Sequence, residues 1–155
     1  MTEQHSRLAP SSAERWVECP GSVVMQERHP QTEDSEASRE GTASHWIGAA
    51  ILAHAIDGVG SDYQHYVNQT APNGVIITEE MAEAANVYAQ DVLGVRAARR
   101  VESVIEPLHV EKPVTIPRIH PEAWGTPDAR MFAEDEGVLY VWDYKFGHRV
   151  VHPYD

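Results

Sequence analysis

The spacing of hydrophobic residues along the chain predicts two long amphipathic helices. The first covers about residues 41–56 and the second about residues 79–100. Residues three and four positions apart share one face of a helix, so each stretch presents a single apolar stripe. The stripe of the first helix consists of His45, Ala49, Leu52 and Ile56. This spacing predicts that His45 points toward the protein core.

The second helix has the same spacing of apolar residues, and its acidic and basic residues are separated along its length. Its stripe consists of Met81, Ala85, Tyr88, Val92 and Val95. Acidic residues occupy its first turn, and Arg96, Arg99 and Arg100 occupy its last turn. This order suits the helix dipole, which explains the arginines without a ligand. The same three arginines are also candidates for contact with the phosphates of a nucleic acid.

The N-terminal part of the chain is predicted to hold a short helix followed by a loop. Residues 11–14, with the sequence SSAE, fit a capping box that opens a helix, and Cys19, Pro20 and Gly21 stop it. The segment of residues 26–40 is polar and nearly free of hydrophobic side chains. Such a composition predicts a mobile loop.

Three runs with the character of β-strands follow the helices, at about residues 104–116, 126–133 and 138–145. Pro107 and Pro113 weaken the first run, because proline cannot donate a hydrogen bond to a sheet. The order of elements predicts an α/β fold in which N-terminal helices precede a mostly antiparallel three-stranded sheet.

The last two runs are joined by a short polar segment, residues 134–137, which predicts a hairpin. If Ala133 pairs with Val138, Asp128 lies directly opposite Asp143, with Cβ atoms about 4.5–5.5 Å apart. Carboxylates that face each other repel unless one is protonated or a cation bridges them. Because Mg²⁺ prefers hard oxygen ligands, this register predicts a metal site.

The last strand alternates between an aromatic face and a face that ends in charges. One face consists of Tyr140, Trp142, Tyr144 and Phe146, and the other of Leu139, Val141, Asp143 and Lys145. A buried unpaired charge costs several kcal/mol, so Asp143 and Lys145 need a partner, a bound ion or a solvent-filled cleft. The alternative to a functional site is a solvated hairpin end with a surface ion pair.

Composition limits the remaining classes of function. The chain has 155 residues, 42% of them hydrophobic, which suits a single domain over residues 1–155. It shows neither an apolar stretch of about 18 residues nor a signal peptide, so a cytoplasmic protein is expected. Cys19 is the only cysteine, which excludes an intramolecular disulfide. The net charge of −12 argues against a simple basic nucleic-acid binder and leaves an acidic decoy or an acidic metal site.

Two short segments resemble motifs of a nuclease superfamily. Residues 125–128, GTPD, and residues 143–145, DYK, resemble the GxxD and (D/E)xK elements of the RecB-like branch of the PD-(D/E)xK superfamily. The upstream segments SSAERWVECPGS and EGTASH resemble an uncharacterised phage and prophage family of that branch, which has a helical histidine where this chain has His45. The likeness covers about residues 11–147, and the order of the motifs makes it fairly specific.

The resemblance implies a restriction-endonuclease-like core and a DNA nuclease that depends on Mg²⁺ or Mn²⁺. Asp128, Asp143 and His45 would bind the metal together with the main-chain carbonyl of Tyr144. Lys145 would position or deprotonate the attacking water, so that Asp128, Asp143 and Lys145 are the expected catalytic residues. The implied setting is processing of DNA ends in phage recombination, with a recombination partner protein, in a bacterial host cell.

Glu40 is a second candidate ligand, because many members of the superfamily use a helical glutamate in place of the histidine. Positions 40 and 45 differ by about 140° around a regular helix. Both side chains therefore face one ion only if the backbone is irregular at Gly41. For His45 the alternative is a core histidine that binds no metal.

The chain departs from the family pattern in two respects. Relatives follow the (D/E)xK element with a helix that carries a QxxxY motif, and this chain ends at Asp155, so we expect either a fragment truncated before that helix or a reduced member of the family. Some relatives hold an iron–sulfur cluster with one early and three late cysteines. Cys19 resembles the early cysteine, but the late ones are absent, so no cluster is expected within this chain. The alternative function is a catalytically silent acidic protein, a DNA mimic, that binds a nucleic-acid-binding partner.

Overall fold

The computed structural model describes residues 6–29, 34–60, 62–99, 108–134 and 136–147. The helices are α1 (Ala13–Glu18), α2 (Gly21–Arg28), α3 (Glu36–Ile56) and α4 (Glu79–Ala98), with 3₁₀ turns at Pro10–Ser12 and Tyr63–Tyr66. The strands are β1 (His109–Val110), β2 (Val114–Thr115), β3 (Trp124–Gly125), β4 (Ala129–Ala133) and β5 (Val138–Trp142). This order of elements confirms the predicted α/β class. None of the described helices combines the length and the apolar character needed to cross a bilayer.

The chain forms two compact units. The first comprises Met1–Glu33 and Lys112–Pro127, and the second comprises Asp34–Glu111 and Asp128–Asp155. The chain therefore leaves the second unit shortly after β1 and returns to it just before β4.

The first unit contains α1, α2 and a small antiparallel pair of strands. β2 pairs with β3, and Val114 lies opposite Gly125. A Cβ atom at Gly125 would lie 2.8 Å from Cδ of Pro10, so only glycine permits this approach. The indole N–H of Trp16 donates to the carbonyl of Ala9 at 3.0 Å. The glycine of the GxxD-like segment is thus required by packing within the first unit.

The core of the second unit lies between α3 and α4 and against the inner face of β4. Its buried side chains include Ile47, Ile51, Leu52, Met81, Ala85, Ala89, Val92 and Met131. Burial of each large aliphatic side chain contributes about 1.5–3 kcal/mol. The small residues on both helices permit close approach, and a Cβ atom at Gly48 would lie 3.0 Å from the ring of Tyr88.

The buried stripe of α3 is displaced from the predicted one. It consists of Ala43, Ser44, Ile47, Gly48, Ile51 and Leu52, whereas Ile56 is 39% exposed. His45 is partly buried at the edge of this stripe, so its ring reaches beyond the core. The stripe predicted for α4 agrees better, because Met81, Ala85 and Val92 are all buried.

An antiparallel sheet in the order β1-β4-β5 completes the second unit. Ala133 pairs with Val138 and Ala129 with Trp142, which confirms the predicted register and the predicted three-stranded antiparallel sheet. Leu139 and Val141 are more than half exposed, while the aromatic residues of β5 pack on the core, as the predicted alternation requires.

One prediction for the N-terminal third is confirmed and one is wrong. The first helix ends where it was predicted to end, because Cys19 is the C-cap of α1, and α2 begins directly after Pro20, where the fixed φ of proline suits a helix start. The segment 26–40, predicted as a loop, holds the end of α2 and the start of α3, while its residues 30–33 lie outside the described part. Ser35 caps α3 by accepting from the N–H of Ser38 at 3.1 Å. The polar first turns of α3 carry no apolar stripe, so hydrophobic periodicity misses them.

The predicted capping box and the predicted first strand are also corrected. Ser12, the N-cap of α1, makes no side-chain cap hydrogen bond, and its hydroxyl donates to the carbonyl of Ala9 instead. The run predicted as one strand at residues 104–116 holds β1 and β2, which belong to different sheets. The break comes at Glu111, whose φ of 48° cannot continue a strand. Residues 100–107 lie outside the described part of the chain.

Candidate metal centre

His45 and Asp128 form a hydrogen-bonded pair in the second unit. Nδ1 of His45 lies 2.9 Å from Oδ1 of Asp128. The two side chains are 28% and 12% exposed, so the pair is largely shielded from water. α3 supplies the histidine, and the residue just before β4 supplies the aspartate. The structure thus brings together two predicted site residues that are distant in sequence.

Asp128 is held by the end of the hairpin ladder. The last paired residues of the ladder are Ala129 and Trp142, so the backbone beyond them is available for other partners. The N–H of Tyr144 donates to Oδ2 of Asp128 at 2.5 Å. Each carboxylate oxygen of Asp128 therefore has its own partner, one from α3 and one from the segment that follows β5.

Glu111 joins this pair, although the sequence analysis did not identify it. His45, Glu111 and Asp128 each offer one ligand atom, and these atoms lie within 4.8 Å of one another. The N–H of Glu111 donates to the carbonyl of Asp128 at 3.0 Å, just beyond the pairing of β1 with β4. The available sequence signal was an acid directly after the short strand-like run Leu108–Val110, as Asp128 is an acid directly before the run that forms β4.

The backbone of Glu111 adopts a left-handed conformation, with φ of 48°. A residue with a Cβ atom in this region costs about 1–3 kcal/mol, and such residues cluster at functional sites. Glycine would remove the cost. The carboxylate of Glu111 thus lies beside Asp128 at a backbone cost that glycine would not carry.

The charges of this group act on the imidazole of His45. Burial lowers the pKa of His45, but the hydrogen bond to Asp128 and the charges of Asp128 and Glu111 together outweigh burial and raise it. The charge of Lys145 opposes that rise. The ring therefore lies in a field that attracts positive charge.

Asp143 and Lys145 pair with each other on the solvent side of the hairpin end. Nζ of Lys145 lies 2.5 Å from Oδ1 of Asp143, and the side chains are 53% and 69% exposed. The predicted register places Asp143 opposite Asp128, but both residues lie one position beyond the ladder. Asp128 turns to His45 and the N–H of Tyr144, so the two carboxylates have separate partners. The surface ion pair, the alternative left open by the sequence, describes Asp143 and Lys145 in this structure.

Tyr144 was predicted to contribute its main-chain carbonyl, and the structure shows three contacts of its side chain. Its ring stacks on the ring of Tyr88 with centroids 4.8 Å apart, and it lies 5.3 Å from the ring of His45. Its hydroxyl lies 2.8 Å from Oγ of Ser44, the residue before His45. These contacts fix the orientation of His45 relative to the hairpin end.

Glu40 is not brought into the group. α3 is unbroken from Glu36 to Ile56, so Glu40 and His45 remain about 140° apart around the helix axis. The irregular backbone at Gly41 that would unite them is absent from α3.

Arg99, which follows α4, has its contacts in the hairpin and not in the group. Arg99 forms an ion pair with Glu136 in the hairpin turn, and its guanidinium lies 5.7 Å from the ring centroid of Tyr140. Nε of Arg96 is buried. Arg100 lies outside the described residues.

The donors fit a divalent cation. Carboxylate oxygens suit Mg²⁺ and Mn²⁺, and an imidazole nitrogen suits transition-metal ions. Ligands on opposite sides of one Mg²⁺ are about 4 Å apart, because each lies about 2.0–2.1 Å from the ion. The separations of up to 4.8 Å among the three donors therefore need only small side-chain movements. Because Glu111 is exposed, the group is open to solvent on one side.

Comparison with known proteins gives a family for the chain. No solved structure matches the sequence. A family model described as "Protein of unknown function (DUF2800)" matches residues 5–153. Because this match covers nearly the whole sequence, the chain belongs to the DUF2800 family.

Proposed function

We propose that this protein is a divalent-metal-dependent DNA nuclease of the RecB-like branch of the PD-(D/E)xK superfamily. The observation that carries the proposal is the convergence of His45, Glu111 and Asp128 within 4.8 Å. The convergence occurs at a hairpin end that also carries Lys145. Two carboxylates and an imidazole for a cation, with a lysine on the solvent side, are the groups that metal-assisted phosphodiester hydrolysis uses.

The order of the motifs supports the same proposal. His45 lies on α3, Asp128 of the GTPD segment directly precedes β4 and the DYK segment directly follows β5, and Asp128 contacts both His45 and the N–H of Tyr144. One fold hosts many functions, so the weight falls on the geometry of the site and not on the architecture.

In this proposal His45, Glu111 and Asp128 hold Mg²⁺ or Mn²⁺. When bound, the cation polarises the scissile phosphate and supplies Lewis acidity near neutral pH. Asp128 is presented in a fixed orientation, because the N–H of Tyr144 holds one of its oxygens and His45 contacts the other. Little side-chain reorganisation is then required of Asp128 when the ion arrives.

Lys145 is the group that orients or deprotonates the attacking water and offsets negative charge that develops on the phosphate. Its side chain is more than half exposed, and its ammonium pairs with Asp143. Exposed ion pairs contribute about 0–1 kcal/mol, so Lys145 can exchange Asp143 for a phosphate oxygen at little cost. Asp143 is then free to act as the further carboxylate ligand that the family resemblance implies.

The net negative charge of the chain bears on how strongly it binds DNA. A net charge of −12 repels a polyanion, and a bound cation offsets that repulsion locally at the site. We therefore expect weak DNA binding that depends on the metal. Processing of DNA ends during phage recombination, with a partner protein that supplies basic surface, is the setting that fits this limitation.

Metal binding is tested by thermal unfolding of wild type and Asp128→Asn with and without Mn²⁺. A ligand that binds only the folded state stabilises it by RT ln(1 + [L]/Kd), about 2.7 kcal/mol at a hundredfold excess over Kd. We expect this rise in wild type and its loss in Asp128→Asn. Glu134→Gln, which neutralises an exposed carboxylate in the hairpin turn, is the matched control and should keep the rise. Equal shifts in wild type and Asp128→Asn would remove the proposed site.

The reaction is tested by incubating the metal-loaded protein with single-stranded DNA, double-stranded DNA and RNA. We expect DNA cleavage that requires Mn²⁺ or Mg²⁺ and that disappears in Asp128→Asn. If the metal-loaded protein leaves all three substrates uncut, the nuclease proposal is wrong. The catalytically silent acidic protein that binds a nucleic-acid-binding partner then becomes the better account.

A further inference from the structure

Tyr88 on α4 is held rigidly beside the candidate metal centre. Its ring stacks on the ring of Tyr144 with an interplanar angle of 14° and centroids 4.8 Å apart. On another side the ring packs against Gly48 of α3, where a Cβ atom would come within 3.0 Å. Tyr144 is the residue whose N–H holds Asp128. The ring of Tyr88 therefore has little freedom, and the direction of its hydroxyl is set by packing.

The hydroxyl of Tyr88 differs from the hydroxyls of three other tyrosines of the second unit, Tyr66, Tyr140 and Tyr144. Tyr66 contacts Nδ1 of His54 at 3.2 Å, Tyr140 donates to Glu136 at 3.3 Å, and Tyr144 contacts Ser44 at 2.8 Å. Oη of Tyr88 is buried and has no hydrogen-bond partner among the residues that the structure describes. A buried donor without a partner is costly, so its persistence calls for a partner that arrives on binding.

The surroundings of this hydroxyl are acidic. Burial raises the pKa of Tyr88, and the negative charges of Asp128, Glu111 and Asp143 raise it further. The hydroxyl therefore keeps its proton throughout the physiological range and can act as a donor. The carboxylates of Asp128, Glu111 and Asp143 are the negative charges that act on it.

We propose that Tyr88 is a positioning residue of the metal centre, whose hydroxyl donates a hydrogen bond to a ligand carboxylate when a divalent cation is bound. The inference rests on the metal centre of the proposed function. Without a cation, the charges of Asp128 and Glu111 repel each other and Asp143 is paired with Lys145. A cation draws the carboxylates inward and uses one oxygen of a carboxylate, which leaves the other oxygen able to accept from Tyr88. Groups that orient metal ligands in this way typically change metal affinity by about 10–100-fold.

The test is Tyr88→Phe, which removes the hydroxyl and keeps the stacked ring. Two quantities are measured: the affinity for Mn²⁺ by titration calorimetry, and the melting temperature of the metal-free protein in the presence of a chelator. We expect the Mn²⁺ affinity to fall about 10–100-fold while the metal-free melting temperature stays unchanged or rises, because a hydroxyl without a partner is removed.

The matched control is Tyr66→Phe. Tyr66 is buried, and its hydroxyl already has a partner in His54. This change should lower the metal-free melting temperature and leave Mn²⁺ affinity unaltered, which is the reverse of the pattern expected for Tyr88→Phe.

Each other result counts against the inference in a distinguishable way. If wild type and Tyr88→Phe bind Mn²⁺ equally, Tyr88 has no positioning role and the metal centre stands without it. If Tyr88→Phe lowers the metal-free melting temperature as Tyr66→Phe does, its hydroxyl has a structural partner and the inference is wrong. If wild type itself binds no Mn²⁺, the proposed function fails and the inference fails with it.

Discussion

Asp128 and Asp143 flank the same hairpin ladder, yet they lie in opposite environments. Asp128 is buried and has contacts to both of its carboxylate oxygens, from the ring of His45 and from the N–H of Tyr144. The side chain of Asp143 is 69% exposed and pairs with Lys145. The two residues occupy equivalent positions in the strand register. Their environments differ, because α3 lies against Asp128 whereas Asp143 faces solvent.

This difference suggests a division of work within the proposed site. A carboxylate held by two buried contacts is already oriented, so it suits the permanent binding of an ion. An exposed ion pair is held weakly and can exchange partners. The inner group of His45, Glu111 and Asp128 would therefore bind the metal, and the outer pair of Asp143 and Lys145 would respond to substrate.

The largest effect expected from this division is on catalysis. Lys145→Ala should lower the rate of DNA cleavage by about 10²–10⁴-fold, the usual cost of removing a positioned acid–base group. It should leave the Mn²⁺-dependent rise in melting temperature intact, because the inner group is unaltered. Single-turnover cleavage and thermal unfolding are the two measurements. Arg118→Ala, an exposed cation of the first unit, is the control for loss of one positive charge. Loss of metal stabilisation together with cleavage would contradict the division.

A smaller effect is expected at the backbone of Glu111. Glycine adopts its φ of 48° without the steric cost of a Cβ atom. Glu111→Gly should therefore be more stable than Glu111→Ala by about 1 kcal/mol, measured by urea unfolding in the presence of a chelator. Both variants lack the carboxylate, so both should bind Mn²⁺ more weakly than wild type. Unaltered Mn²⁺ affinity in both would exclude Glu111 as a ligand, and equal stabilities would show that its backbone stores no strain.

The smallest effect is expected for the outer aspartate in the metal-free protein. Asp143→Asn should change the free energy of unfolding by less than about 0.5 kcal/mol, since it breaks an exposed ion pair. Asp128→Asn should cost more, about 1–3 kcal/mol, because it disturbs buried hydrogen bonds to a charged group. Chemical unfolding of both variants under the same conditions compares them directly. Similar losses for the two variants would mean that the contrast between the inner and outer aspartates has no energetic basis.

The hairpin could be predicted in detail from the sequence, and the reason is local. Alternation of aromatic and exposed positions fixes which face of β5 meets the core, and the short polar turn fixes its pairing with β4. Family resemblance predicted that His45 and Asp128 belong to one site. That prediction did not depend on knowing which distant strands pair.

Glu111 shows where such prediction ends. Its place depends on the pairing of β1 with β4 and on a left-handed backbone, and neither is encoded in a local hydrophobic pattern. The expected facing of Asp128 and Asp143 stays a prediction, because both residues lie one position beyond the last pair of the ladder, Ala129 with Trp142, and Asp128 accepts a hydrogen bond from the N–H of Tyr144. The polar start of α3 was missed because a helix without an apolar stripe leaves no periodic signal.

The hydrogen bond between the N–H of Glu111 and the carbonyl of Asp128, 3.0 Å long, also closes a loop. Between these two residues the chain passes through Lys112–Pro127, which belongs to the first unit. The entropy of closing a loop grows only with the logarithm of its length, so a doubling costs about 0.6 kcal/mol. Insertions or deletions in Lys112–Pro127 should therefore have little effect on the distance between the carboxylates of Glu111 and Asp128. The proposed metal-binding geometry is in this respect unaffected by changes in the length of the chain between Glu111 and Asp128.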